Sequence, residues 1–239
     1  MDLIICFIDD SEFEHDIVRN QIAPIAPELE FVQAFTFEEA RKVLGSRIPG
    51  LFLLDLWGQD YDVTEPCIPA REELESRALG FNNLEDVYNG LDDFQGDRIN
   101  EYLKRLFRIL DSWRTLFSDA CDRIGQNRKY GLANLQQARR HYPGVPAVFY
   151  TRKSLISDAV AIVAAGSDGL FIKPTGRDDN DTRSLTIEYA PELIRGLARI
   201  VQASINDLKE FESFYQTENT GKGVDIYPII ESWKKFSVK

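Results

Sequence analysis

Four short, uninterrupted apolar runs constrain this chain more than any other feature, because each stops abruptly at a residue able to do chemistry. Leu3–Ile8 (LIICFI) runs into Asp9-Asp10, Leu51–Leu54 into Asp55, Pro146–Tyr150 into Thr151, and Leu170–Ile172 into Lys173. Runs this short and this apolar read as strands buried on both faces. Leu29–Phe35 (LEFVQAF) reads as one more strand.

Helical signals lie between the strands. Ser11-x-x-Glu14 has the form of a capping box and predicts a helix to about Ile22, and Thr36-x-x-Glu39 caps another that Gly45 ends. Further helices are expected from near Gly131, over Ser154–Ala165 up to Gly166, and over Tyr189–Phe211, where Leu193, Leu197, Ile200, Val201 and Ile205 share a face. Residues 176–183 (GRDDNDTR) read as a polar loop. Apolar strands alternating with helices predict an α/β fold with a parallel sheet covered on both sides.

One stretch breaks the alternation. Residues 59–97 are polar and rich in turn formers, and from Ile99 a helical stripe follows through Leu103, Leu106, Phe107, Leu110, Trp113, Leu116, Phe117, Cys121 and Ile124. We expect an inserted helical subdomain whose stripe packs on its own helices or on the main body.

In an open parallel sheet the ligand site lies at the carboxyl ends of the strands. Asp9, Asp10 and Asp55 gathered at one rim repel one another unless a cation sits among them, and oxygen ligands without His or Cys favour Mg²⁺. Lys173 adds a fixed positive charge and Thr151 a hydroxyl donor. Together these groups can hold a phosphoryl group against a carboxylate nucleophile.

The ordered set resembles a bacterial response-regulator receiver domain: the acidic pair in FIDDSE, the aspartate in LFLLDLW, the threonine in VFYTRKS and the Lys-Pro of AAGSDGLFIKP. Asp10 precedes Asp55 by 45 residues and Thr151 precedes Lys173 by 22, both close to the family's spacing. The resemblance covers residues 3–63 and 131–205. It implies a flavodoxin-like, doubly wound sheet of five parallel strands in the order 2-1-3-4-5. Asp55 would be the phosphoacceptor, taking its phosphoryl group from a histidine kinase or histidine phosphotransfer protein. Asp10 would ligate Mg²⁺ directly, Asp9 directly or through water, and Asp55 and the main-chain carbonyl of Trp57 would complete the protein ligands. Lys173 would pair with Asp55 or its phosphoryl group, and Thr151 would swing toward a phosphoryl oxygen. A homodimer through the last helix and strand would be in keeping with the family.

The resemblance also places the insertion. Asp55 to Thr151 spans 96 residues, where a plain receiver spends about thirty. The expected division is therefore 1–63 and 131–205 for the receiver, 64–130 for a 67-residue insertion that emerges beside Asp55, and 206–239 for a tail. Three positions depart from the family pattern. Leu170 stands where an aromatic usually couples to the threonine, Arg152 where a small residue usually follows it, and Gln59 where the loop after Asp55 usually has proline. Phe171 should point to the opposite face from Leu170.

The formal net charge of −11 opposes nucleic-acid binding through the overall field, and the first 57 residues already carry 11 acids against 4 bases. No run approaches a membrane span and the start lacks a signal-peptide pattern, so a soluble cytoplasmic protein is expected. Cys6, Cys67 and Cys121 lack the spacing of a disulfide framework or zinc cluster. His15 and His141 have no metal-ligand company, and Asp60 and Asp62 read as solvated loop acids. The tail shows no helix-turn-helix pattern and is short for an independent DNA-binding domain. Its Tyr227, Ile229, Ile230, Trp233 and Phe236 suit docking on the body or presentation to a partner.

The expected function is thus a Mg²⁺-dependent phosphoacceptor that signals through protein–protein contact rather than turning over a substrate. Two alternatives are an aspartyl-phosphate hydrolase of the haloacid-dehalogenase type, which also uses Asp, Mg²⁺ and a helical cap, and a non-phosphorylated scaffold. The hydrolase family expects an acid two residues after its nucleophile, where this chain has Trp57.

Overall fold

A computed structural model describes residues 3–59, 65–152, 156–217 and 225–237. Asp60, Asp62, Lys153 and the expected start of a helix at Ser154 lie outside these residues. The chain divides into two compact units, 1–59 with 128–239, and 60–127.

In the first unit the apolar runs pair as a five-stranded parallel sheet. Its strands are β1 (Leu3–Ile8), β2 (Leu29–Ala34), β3 (Leu51–Leu54), β6 (Ala147–Thr151) and β7 (Gly169–Ile172), in the order β2-β1-β3-β6-β7. This is the flavodoxin-like order. All residues of β1, β3 and β6 are buried, as a sheet covered on both faces requires. The register sets Ile8 beside Leu54, Leu54 beside Phe149, and Thr151 beside Ile172. Asp9, Asp55, Thr151 and Lys173 therefore end up along one rim.

The helices differ from expectation in instructive ways. α1 covers only Glu12–Ile17 before the chain widens into a π-turn (Val18–Ile22) and a 3-10 turn (Ala23–Ile25). Ser11 makes no side-chain cap; its N–H instead donates to Asp9 Oδ1 at 2.9 Å. The second cap does form: Thr36 Oγ1 accepts from the Glu39 N–H at 3.2 Å and opens α2 (Phe37–Leu44), while the Glu39 carboxylate accepts from the Phe35 N–H at 2.9 Å. β4 (Gly58–Gln59) ends the first stretch of this unit, which resumes with α6 (Lys129–His141) and α7 (Ile156–Ala164).

The polar segment 176–183 is largely helix rather than loop. α8 spans Asp179–Ala203 and continues through Pro191. Asp178 caps it by accepting from the Asp181 N–H at 2.9 Å, and Asp179 and Asp181 place negative charge at the helix's positive end. Phe171 packs against Gly196 of this helix, where a Cβ would lie 2.5 Å from the ring.

After a break at Ser204 the tail folds back as α9 (Ile205–Glu210), α10 (Glu212–Thr217) and α11 (Tyr227–Ser237). α11 packs on α8 and reaches β1, burying Ile230 and Trp233 completely. Tyr215 fastens the segment by donating its hydroxyl to the Pro143 carbonyl at 2.6 Å.

The second unit contains α3 (Arg71–Ala78), α4 (Leu84–Tyr88), α5 (Arg98–Arg123) and the two-residue β5 (Gln126–Asn127). Asn83 and Asp86 form a capping box on α4, and Asp97 caps α5. Arg105 of α5 donates to Glu101 and to the carbonyls of Asp86, Val87 and Asn89. Arg77–Asp119 and Arg123–Glu73 contacts join α3 to α5. The apolar stripe is only partly covered: Leu116 and Cys121 are buried, whereas Ile99, Leu103, Phe107, Leu110 and Trp113 are exposed.

Candidate functional site

β1 and β3 are neighbours in the sheet, so the acids after them converge. Asp9, Asp10 and Asp55 each offer a carboxylate oxygen, and the three oxygens lie within 4.8 Å of one another. Backbone bonds fix the rim: the Asp9 N–H donates to the Ala34 carbonyl at 3.2 Å and the Asp55 N–H to the Ile8 carbonyl at 2.8 Å. The Gln59 N–H donates to Asp10 Oδ2 at 2.8 Å, tying the loop after Asp55 back to the acidic pair.

Lys173 reaches this cluster from the end of β7, where its N–H is held by the Thr151 carbonyl at 3.0 Å. Its Nζ lies 2.5 Å from Asp9 Oδ2, 3.3 Å from Asp55 Oδ1 and 3.5 Å from Glu14 Oε2. Burial pushes its pKa down, but Asp55, Asp9 and Glu14 outweigh burial and hold the ammonium above its ordinary range. It stays charged.

Asp55 shows the opposite balance. Burial pushes its carboxyl pKa up to about 6, with Lys173 pulling downward and Asp9 pushing further up. Asp55 Oδ1, for all its contact with Lys173, and Thr151 Oγ1 are buried without a well-formed hydrogen bond. A buried polar atom short of hydrogen bonds costs free energy, so a further group bound at this rim would be stabilised by them. A hard cation among the three carboxylates fits this donor set, since it would satisfy Asp55 Oδ1 and offset acids that Lys173 alone cannot balance.

Every side chain expected at the site is present there: Asp9, Asp10, Asp55, Thr151 and Lys173. Trp57 is buried in the same loop, and its indole N–H donates to Asp158 Oδ2 of α7 at 3.3 Å. Asp158 is itself buried and also meets Arg128 at 3.3 Å. Gly131 of α6 lies so close to the loop after β3 that a Cβ there would sit 2.4 Å from the Asp55 carbonyl oxygen. Its N–H donates to the Leu56 carbonyl at 3.1 Å.

Two acids here stand outside the set expected from the sequence. Glu14 belongs to the site rather than to a cap, and Asp158 anchors Trp57. His15 is structural: buried between Phe7 and Phe35, it bonds through Nε2 to the Asp9 carbonyl at 2.9 Å.

No protein-family model and no curated protein matches the sequence. Solved structures do match. A CheY-like response regulator receiver domain protein from Methanospirillum hungatei JF-1 is 14% identical with a TM-score of 0.38, covering 80% of this chain and 96% of its own. A two-component response regulator from Clostridium difficile is 14% identical with a TM-score of 0.41, covering 83% and 97%. The Mn²⁺-bound form of response regulator Rcp1 is 12% identical with a TM-score of 0.39, covering 78% and 91%. At these scores the fold assignment rests on strand order and register. On that ground the chain is a flavodoxin-like α/β protein with a helical insertion, and the solved structures it is similar to are response-regulator receiver domains.

Proposed function

We propose that this protein is a phosphoacceptor of the receiver type, taking a phosphoryl group on Asp55 from a histidine kinase or phosphotransfer protein. The observation that carries the reading is the gathering of three carboxylates within 4.8 Å of one another, with the buried Lys173 ammonium 3.3 Å from Asp55 Oδ1 and the buried Thr151 hydroxyl on the same rim. The ionised Asp55 carboxylate attacks phosphorus, the bond from phosphorus to the donor histidine nitrogen breaks with its electron pair going to that nitrogen, and the histidine, already protonated on its other ring nitrogen, leaves as the neutral imidazole. Asp9, Asp10, Asp55 and the Trp57 carbonyl would hold Mg²⁺, which when bound supplies charge neutralisation for the transferring group. Lys173 neutralises a phosphoryl oxygen from the other side, and the Thr151 hydroxyl donates to another.

Thr151 reorienting toward the new group starts the switch, and the changed surface is read by a protein partner. Loss of phosphate is then slow self-hydrolysis rather than turnover of a substrate. The hydrolase alternative is weakened because the side chain two residues beyond Asp55 is a buried indole bound to Asp158, leaving no acid there to protonate a leaving group. No described helix is long and apolar enough to cross a membrane.

The test is incubation with Mg²⁺ and acetyl phosphate, followed by intact mass, with Asp55→Asn alongside. A single phosphoryl adduct in the wild type and none in the variant is expected. No adduct in either would overturn the reading, and multiple turnover of phosphate esters would restore the hydrolase.

A further inference from the structure

Glu14 stands on the first turn of α1, buried, and its two carboxylate oxygens face different cations. Oε2 lies 3.5 Å from Lys173 Nζ and Oε1 lies 2.5 Å from Arg152 Nη2. Since Lys173 also meets Asp55 at 3.3 Å, contacts run without interruption from Arg152 through Glu14 and Lys173 to Asp55. Arg152 is joined by a peptide bond to Thr151, whose buried hydroxyl has no partner. Its guanidinium lies over the Phe13 ring, 5.8 Å from the centroid, and its side chain keeps 28% of its exposure.

Among the described residues, the other cations near this rim have different ties. Lys173 is fully enclosed among three carboxylates, Arg128 is engaged with Asp158, and Arg183 with Asp16 at 2.8 Å. Arg152 alone among the described residues combines a long, partly exposed side chain, a neighbour in the site and a single carboxylate partner that already shares Lys173. A phosphoryl group on Asp55 would bring close to two negative charges and three acceptor oxygens beside Lys173. A guanidinium pairs with such a group through parallel hydrogen bonds, more strongly than with one shared carboxylate oxygen. Glu14 would then be outcompeted for both of its cations.

We propose that Arg152 is a phosphoryl-binding residue held in reserve by Glu14: when Asp55 carries its phosphoryl group, Arg152 leaves Glu14 and pairs with that group. Arg152 thus adds a second cation to the phosphorylated state, and Glu14 is the positioning residue that keeps it docked until then. The proposal rests on Asp55 being the acceptor.

The full-length protein is titrated with beryllofluoride in Mg²⁺, with binding read by Trp fluorescence and the Arg152 side-chain Nε–H signal followed by NMR. Arg152→Ala should weaken beryllofluoride about tenfold, with Arg152→Lys recovering part of the loss. Glu14→Gln should tighten it several-fold, because both cations are freed. In the wild type the Arg152 signal should shift on beryllofluoride binding and, in Glu14→Gln, start already displaced. A merely structural ion pair would make Glu14→Gln and Arg152→Ala weaken binding alike, and that result, or an unchanged affinity in Arg152→Ala, overturns the proposal. Absence of any Asp55-dependent beryllofluoride or acetyl-phosphate adduct in the wild type instead overturns the acceptor reading on which it stands.

Discussion

Trp57 donates its indole N–H to Asp158, 3.3 Å away, and so ties the loop after Asp55 to helix α7. Asp158→Ala should cost about 1–3 kcal/mol, since it strands a buried indole N–H and removes the Arg128 contact. Denaturant unfolding measures that cost. The same variant should blunt the Trp57 fluorescence response to beryllofluoride, with Trp57→Phe serving to assign the signal against Trp113 and Trp233.

Asp55 sets a pH dependence whose sign follows from burial. Its folded pKa of about 6 lies above the ordinary 3.8, so the folded chain binds the proton more tightly than the unfolded one. Stability from this group is full below pH 3.8 and falls as pH rises to about 6, above which the ionised carboxylate costs roughly 3 kcal/mol. Asp55→Asn should therefore stabilise the metal-free protein at pH 7.5 and lose that advantage near pH 4. Thermal melts at the two pH values check it. An equal effect at both would mean that Asp55 is not protonated by burial.

Gly131 lets helix α6 approach the loop after β3 backbone to backbone. With a Cβ only 2.4 Å from the Asp55 carbonyl oxygen, Gly131→Ala must push helix and loop apart. The expected loss is about 1–3 kcal/mol of stability, as for other overpacked sites, together with weaker Mg²⁺ binding. Isothermal titration with Mg²⁺ separates the two effects: unchanged affinity would show that the loop yields without disturbing the acids.

Trp233 is fully buried on α11, so the C-terminal helix belongs to the body. Trp233→Ala should cost about 3–5 kcal/mol, the range for removing a large core aromatic. Faster hydrogen exchange in α11 and in β1, which it reaches, is the accompanying signature.

Much of the site was legible because each chemical residue directly follows an apolar run, and strand pairing then fixes where the ends meet. Glu14 was not, since Ser11-x-x-Glu14 matches a capping box in spacing while the buried Lys173 and Arg152 offer its carboxylate more than a backbone N–H can. The start of α8 was hidden for a related reason: GRDDNDTR looks like solvated loop, yet its aspartates are the residues that favour a helix's first turn. The stripe of α5 was plain from its period. Which of its residues are covered depends on tertiary neighbours, which periodicity does not encode.

The insertion begins just after Gln59, whose N–H is bonded to Asp10, and ends just before Arg128, which is bonded to Asp158. Its two ends are thus tied to carboxylates of the first unit, one of the three clustered acids and the partner of Trp57, while all five strands of the parallel sheet lie outside it. In evolutionary terms that makes it a splice point: the segment can be lengthened or exchanged without rewriting any strand of that sheet.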